Sequence, residues 1–206
     1  MHQPDAHIIC LDVEKRSVIM QELETSLREH GWNYSLHAAC NGWKLTAQDW
    51  QRRGVRLVEG SKISQQPGAQ GCLWSHMDLW ELCVDQDRPI IILESDALCL
   101  GPWKESWNYH EHVVKIAYKF NLLRPNKRTG QWSPGATGYH ISPQGAALLL
   151  GYVAETSALE ADKLLGTRIV QWTHGPRLFD INTRSYSRSS TRSKSLGDYE
   201  RLIGKS

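Results

Sequence analysis

Gly71 to Gly101 reads GCLWSHMDLWELCVDQDRPIIILESDALCLG, and this stretch decides how the rest of the chain is organised. Its first half carries Leu73, Met77, Trp80 and Val84, spaced four, three and four apart, which is one apolar face of a helix. Pro89 closes the polar run Asp85-Gln86-Asp87-Arg88, because a residue before proline avoids the helical region. Ile90-Ile91-Ile92-Leu93 then predicts a strand buried on both faces. That strand runs into Glu94-Ser95-Asp96, and Gly101-Pro102 marks a turn. Two carboxylates at i and i+2, at the carboxyl end of a buried strand, sit where open α/β sheets place their ligands. They suit a hard divalent cation, which takes oxygen ligands and keeps positions open for water or phosphate. The same pair can also simply solvate a strand end or cap a turn, and spacing alone leaves both readings open.

Outward from this stretch, the pattern is that of an α/β protein. His7 to Leu11 reads as a first buried strand, followed by the charged turn Asp12-Val13-Glu14-Lys15-Arg16. A helix follows with Ile19, Leu23 and Leu27 on one face and Gly31 placed to end it. Tyr34 to Ala39 is the second strand, and strand–helix–strand over this span predicts parallel pairing. Thr46 and Asp49 have the spacing of a capping box for a short helix through Trp50. Gly60 to Gly71 reads as a loop from its Ser, Gln, Gly and Pro content.

Beyond Gly101, Val113 to Tyr118 is a further strand, and Asn121 to Gly135 is a loop carrying Arg124, Lys127, Arg128 and Trp132. Ala136 to Ile141 is a short strand, with Ser142 as N-cap and Pro143 at the first position of the next helix. Arg168 to Trp172 reads as a late strand ending at Thr173-His174-Gly175. From Thr183 onward Ser and basic residues dominate, too polar to bury a core. The expected organisation is therefore one domain over 1–182 and a loosely docked or flexible tail over 183–206.

Composition narrows the classes. A chain of 206 residues favours one domain with a sizeable core. A formal charge of +2 is too small to imply nucleic-acid binding. The amino terminus lacks the basic-then-apolar pattern of a signal peptide, and no run approaches the roughly 20 apolar residues of a membrane span. Five cysteines cannot all pair within the chain, which points to free thiols in a reducing, cytoplasmic setting.

The ordered elements Gly71-Cys72, Ser75-His76, Trp80 and the hydrophobic strand ending in Glu94-Ser95-Asp96 resemble the signature of glycosyltransferase family 25. The usual Glu-Asp-Asp of that signature has Ser95 at its middle position here, leaving an acid-x-acid motif. GATGYHISPQGAALLL resembles a second family element, and weaker correspondences extend from about Ile8 to about Asp180. The resemblance implies a GT-A-type single domain, α/β, with a Rossmann-like, mostly parallel sheet between helices. It implies transfer of a hexose from a UDP-sugar to a hydroxyl acceptor, a glycan or lipopolysaccharide-type molecule, with inversion and with Mn2+ or Mg2+.

On this resemblance Asp96 and Glu94 hold the metal, with His174 as a further ligand and His140 as the next histidine candidate. Ser75, His76, Glu94 and Ser95 fall in the part of the signature that meets the nucleotide sugar, and Lys15 and Arg16 match an amino-terminal turn near it. Asp162, before Leu164-Leu165, matches an acid that can take the proton from the acceptor hydroxyl. Each has a plainer reading: a solvated helix start for Lys15 and Arg16, a solvated helix residue for Asp162. Two other functional classes stay open. One is a sugar-nucleotide or protein-binding module whose metal site has decayed at Ser95. The other is a zinc-stabilised nucleic-acid binder using Cys72, His76 and Cys83, whose spacing fits no common zinc pattern.

Overall fold

The computed structural model describes residues 3–14, 17–104, 111–117, 135–166 and 169–182. The expectations for Lys15, Arg16, the basic loop residues Arg124 to Trp132 and the tail 183–206 lie outside these residues.

The four residues Ile90 to Leu93 are all buried, and with Glu94 they form β3 (Ile90–Glu94), near the middle of one sheet. Burying each such aliphatic side chain contributes about 1.5–3 kcal/mol. Among the described residues the sheet has seven strands in the order β2-β1-β3-β6-β5-β7-β4. These are β1 (Ala6–Cys10), β2 (Tyr34–Ala38), β4 (Ala97–Cys99), β5 (Val113–Ala117), β6 (Gly138–Ile141) and β7 (Trp172–Ile181), besides β3. β1 pairs parallel with β2 and β3, and β5 parallel with β7, while β6 and β4 run antiparallel to their neighbours. Five of the seven strands therefore point the same way, in a mixed α/β single domain.

Helices cover both faces. α1 (Val18–Glu29) starts at Ser17, whose side chain accepts from the Met20 N–H, and lays Met20, Leu23 and Leu27 on one face of the sheet. Gly31, at φ +71°, takes the left-handed turn that follows it. On the other face lie α3 (Pro67–Asp85), α4 (Pro143–Glu155) and α5 (Ala161–Leu165), with α2 (Ala47–Arg52) at their edge. α2 carries the expected Thr46/Asp49 capping box, a device worth about 1 kcal/mol. Ser142 caps α4 with Pro143 at its first turn, as its sequence predicts.

Two boundaries depart from expectation. α3 begins at Pro67, inside the stretch that reads as a loop. Proline needs no hydrogen bond at a first helical position, so Pro67 opens the helix there. The late strand starts at Trp172, where it was expected to finish, and continues through Gly175-Pro176 to Ile181. A shift in register between Lys115 and Ala117 shows the device: a bulge absorbs the proline, which has no N–H for the ladder. Among the described residues no helix is long and apolar enough to cross a membrane.

Candidate functional site

Residues four apart on a helix share a face, and α3 uses two faces for two tasks. Gly71 and Ser75 seat it on the loop at 40–42. A Cβ at Gly71 would come within 2.4 Å of the Cys40 carbonyl oxygen, so only glycine permits the approach. The Ser75 hydroxyl accepts from the Cys40 N–H and donates to the Gly71 carbonyl, both at 2.8 Å. Cys72, His76 and Trp80 form the neighbouring face and look toward the sheet.

There they join a chain of polar groups. The Trp80 indole N–H donates to the Tyr139 hydroxyl at 2.9 Å, and that hydroxyl lies 2.7 Å from His76 Nδ1. On the far side of the ring, His76 Nε2 is 3.5 Å from Glu94 Oε1, a close approach outside hydrogen-bond geometry. The Cys72 thiol donates to the same Glu94 oxygen at 3.7 Å. His76 and Tyr139 are fully buried, and their rings stack at 5.7 Å.

The register of the sheet supplies the other side. Ile92, Tyr139, Lys115 and His174 stand in one row across β3, β6, β5 and β7. Lys115 is buried at 0% exposure in the middle of an apolar strand. Its ammonium donates to the Gly135 carbonyl and lies 5.0 Å from the centre of the Tyr139 ring. Burial pulls its pKa down to about 7, against the opposing pull of Glu94 and Asp162. Burial pushes the Glu94 carboxyl up, but His76, Lys115 and the Cys72 thiol together outweigh it and hold the pKa below the usual value. The Cys72 thiol is pushed well up, first by burial and then by the charges of Glu94, Asp162 and Asp96.

These couplings locate most of the residues picked out by sequence. Glu94 ends β3; Ser95 and Asp96 form the half-buried turn into β4. Asp162 sits in the first turn of α5. The charges of Glu94, Asp162 and Asp96 all act on the Cys72 thiol, which places the three acids in its electrostatic neighbourhood. Glu94 and Asp96 are carboxylate oxygen donors, the ligand type that a hard divalent ion takes. His174 is next to Lys115, whose charge adds to burial in lowering its pKa. It stands three strand spacings from β3, roughly 14 Å, with Tyr139 and Lys115 in between. The described group of metal-competent side chains is instead Cys72, His76 and Glu94, whose ligand atoms lie within 4.8 Å of one another. His140 faces away from this group: it stacks on Trp103 at 6.4 Å, on the α1 side of the sheet.

Sequence reasoning assigned no role to Lys115 or Tyr139, and met Cys72 only in the family signature and as a zinc ligand of the alternative reading. A signal for Lys115 was present, since one cation interrupts the apolar run Val113-Val114-Lys115-Ile116-Ala117. A charge in a strand buried on both faces requires partners.

Comparison with known proteins bears on the same residues. The family model described as glycosyltransferase family 25 (LPS biosynthesis protein) matches residues 3–129. A relative named glycosyltransferase 25 family member, from Drosophila pseudoobscura pseudoobscura, is 24% identical over 183 residues, covering 77% of this chain. The chain spans only 29% of that relative's length. Among solved structures, the chain is similar to galactosyltransferase LgtC in complex with donor and acceptor sugar analogs, at a TM-score of 0.49 and 8% identity, covering 98% of this chain and 95% of that one. A glycosyltransferase involved in the glycosylation of the major capsid of PBCV-1 gives 0.44 and 9%, covering 97% of this chain and 99% of that one. The family match runs over more than half of the chain and includes Gly71, Cys72, Ser75, His76, Glu94 and Asp96, the residues that seat α3 and gather at the end of β3; the chain belongs to glycosyltransferase family 25.

Proposed function

We propose that the protein transfers a hexose from a UDP-sugar to a hydroxyl of a glycan or lipopolysaccharide-type acceptor, with inversion, in a reaction that needs Mn2+ or Mg2+. Family membership supports the reaction class. The observation that carries the site is the shared charge that Glu94, at the carboxyl end of β3, Asp96 and Asp162 exert on the Cys72 thiol.

The division of labour follows from charge and reach. Asp96 and the outer oxygen of Glu94 are the oxygen donors for the ion, which when bound neutralises charge on the departing diphosphate. His76, Lys115 and the Cys72 thiol lower the Glu94 pKa against burial, which favours its carboxylate form. Asp162 takes the proton from the acceptor hydroxyl as that oxygen attacks the anomeric carbon. Inversion is assigned from the family resemblance, and a single displacement assisted by Asp162 is the step that would produce it. His174, beside Lys115, lines the same row and is assigned to the diphosphate side of the site. Ser75 acts at one remove, by holding the helix that carries His76. Ser95 and the amino-terminal Lys15 and Arg16 complete the assignment as nucleotide contacts.

The test is UDP release over a panel of nucleotide sugars, with Mn2+, with Mg2+ and with excess chelator. One UDP-sugar should stand out, and chelator should remove the activity. Full turnover in chelator refutes the metal requirement, and proton NMR of the product anomer decides the stereochemistry. A binding module without turnover is the competing reading, favoured by Ser95 in place of the usual acid. Sugar-nucleotide binding with no UDP release from any donor, with or without acceptors, would favour it.

A further inference from the structure

Cys72, His76 and Glu94 have the geometry of a second and chemically different metal site. In a tetrahedral zinc site with bonds of about 2.0–2.3 Å, neighbouring ligand atoms are roughly 3.4–3.7 Å apart. Glu94 Oε1 is 3.5 Å from His76 Nε2 and 3.7 Å from Cys72 Sγ, and all three ligand atoms fall within 4.8 Å. A small closure of the Cys72–His76 edge completes one face of a tetrahedron.

The surroundings favour a cation at that point. His76 is fully buried, and its Nε2 points at Glu94 without any hydrogen bond of its own. Its other nitrogen is held by the Tyr139 hydroxyl, which Trp80 holds in turn. A ligating histidine is typically oriented in this way by a partner on its second nitrogen. Asp162 and Asp96 add negative field at Cys72, with Lys115 the buried lysine nearby. Thiol and imidazole donors select borderline and soft ions over Mn2+ or Mg2+.

We propose that Cys72 Sγ, His76 Nε2 and Glu94 Oε1 bind a zinc-class divalent ion, leaving its fourth tetrahedral position for water or an incoming ligand oxygen. The Cys72 proton leaves to solvent as the metal–sulfur bond forms. This site shares Glu94 with the hard-ion set at Asp96 but draws its other two ligands from α3, and its test contains no turnover measurement.

The experiment is titration of the full chain with Co2+ alone, read as thiolate-to-cobalt charge-transfer absorption, followed by displacement with Zn2+. The expected result is a saturable charge-transfer band at one Co2+ per chain, bleached by Zn2+. Asp96→Ala should keep the band. Cys72→Ser should abolish it, and His76→Gln should weaken Co2+ binding at least about tenfold. Absence of the band in the unaltered chain overturns the proposal. So does a band that survives in Cys72→Ser, because the other four cysteines would then be the source.

Discussion

The two faces of the sheet solve the burial problem in opposite ways. The α1 face is closed by Met20, Leu23, Leu27, Ile91, Leu93, Val114, Ile116 and Phe179, with Trp32 set edge-on to Phe179 at 5.1 Å. Its one buried histidine, His140, is pushed to a pKa of about 4 by burial alone and stays neutral. The α3 face buries Lys115, His76 and Tyr139 together and links them to Glu94. Burial lowers the pKa of both His140 and Lys115, but only at Lys115 do the charges of Glu94 and Asp162 oppose it. Strand alternation assigns the residues: Val113 and Lys115 face α3, Val114 and Ile116 face α1. One face is therefore nearly all apolar, while the other sets a buried polar cluster within its apolar core.

The sharpest way to break that division is Asp162→Asn on the α3 face. The amide keeps the size of the acid but cannot accept a proton. Transfer should fall by about 10²- to 10⁴-fold, while UDP-sugar affinity stays within about twofold. Calorimetry beside a UDP-release assay separates the two quantities. Near-normal turnover removes the base role from Asp162.

Phe179→Ala probes the opposite face. It empties a fully buried ring position between Trp32 and the strands, at a cost of about 3–5 kcal/mol in urea unfolding. If the faces are as separate as the packing implies, residual transfer per folded molecule should be unchanged.

His140 predicts an acid limb. Its pKa in the folded chain is about 4, below the ordinary 6.5, so the unfolded chain binds the proton first as pH falls. Stability is therefore lost between about pH 6.5 and 4, by on the order of 3 kcal/mol. His140→Phe should flatten that part of the curve of urea midpoint against pH. An unchanged slope in the variant means His140 is not the group that limits acid stability.

Tyr139→Phe is the smallest change and sharpens the contrast most. The ring and its packing remain, but the hydroxyl shared by His76 and Trp80 is lost. Leaving two buried nitrogens short of a partner should cost about 2 kcal/mol, more than a purely apolar contact of that size is worth. Thermal unfolding of the variant measures it. A neutral result would show that the polar chain contributes nothing to folding.

Sequence alone determined the local elements. The isoleucine run set β3, Ser142-Pro143 set the start of α4, and Thr46 with Asp49 set the start of α2, because each depends on neighbours a few residues away. It also marked Glu94, Asp96 and Asp162, through an ordered signature. Other matters needed the tertiary structure. The seat of α3 depends on Gly71 touching a loop some thirty residues earlier in the chain, and the irregularity in β7 depends on its register against β5. The role of Lys115 depends on β6 bringing Tyr139 beside it and on β3 bringing Glu94 within range. Periodicity says which side of a strand a residue takes; only the strand order says which charges it meets there.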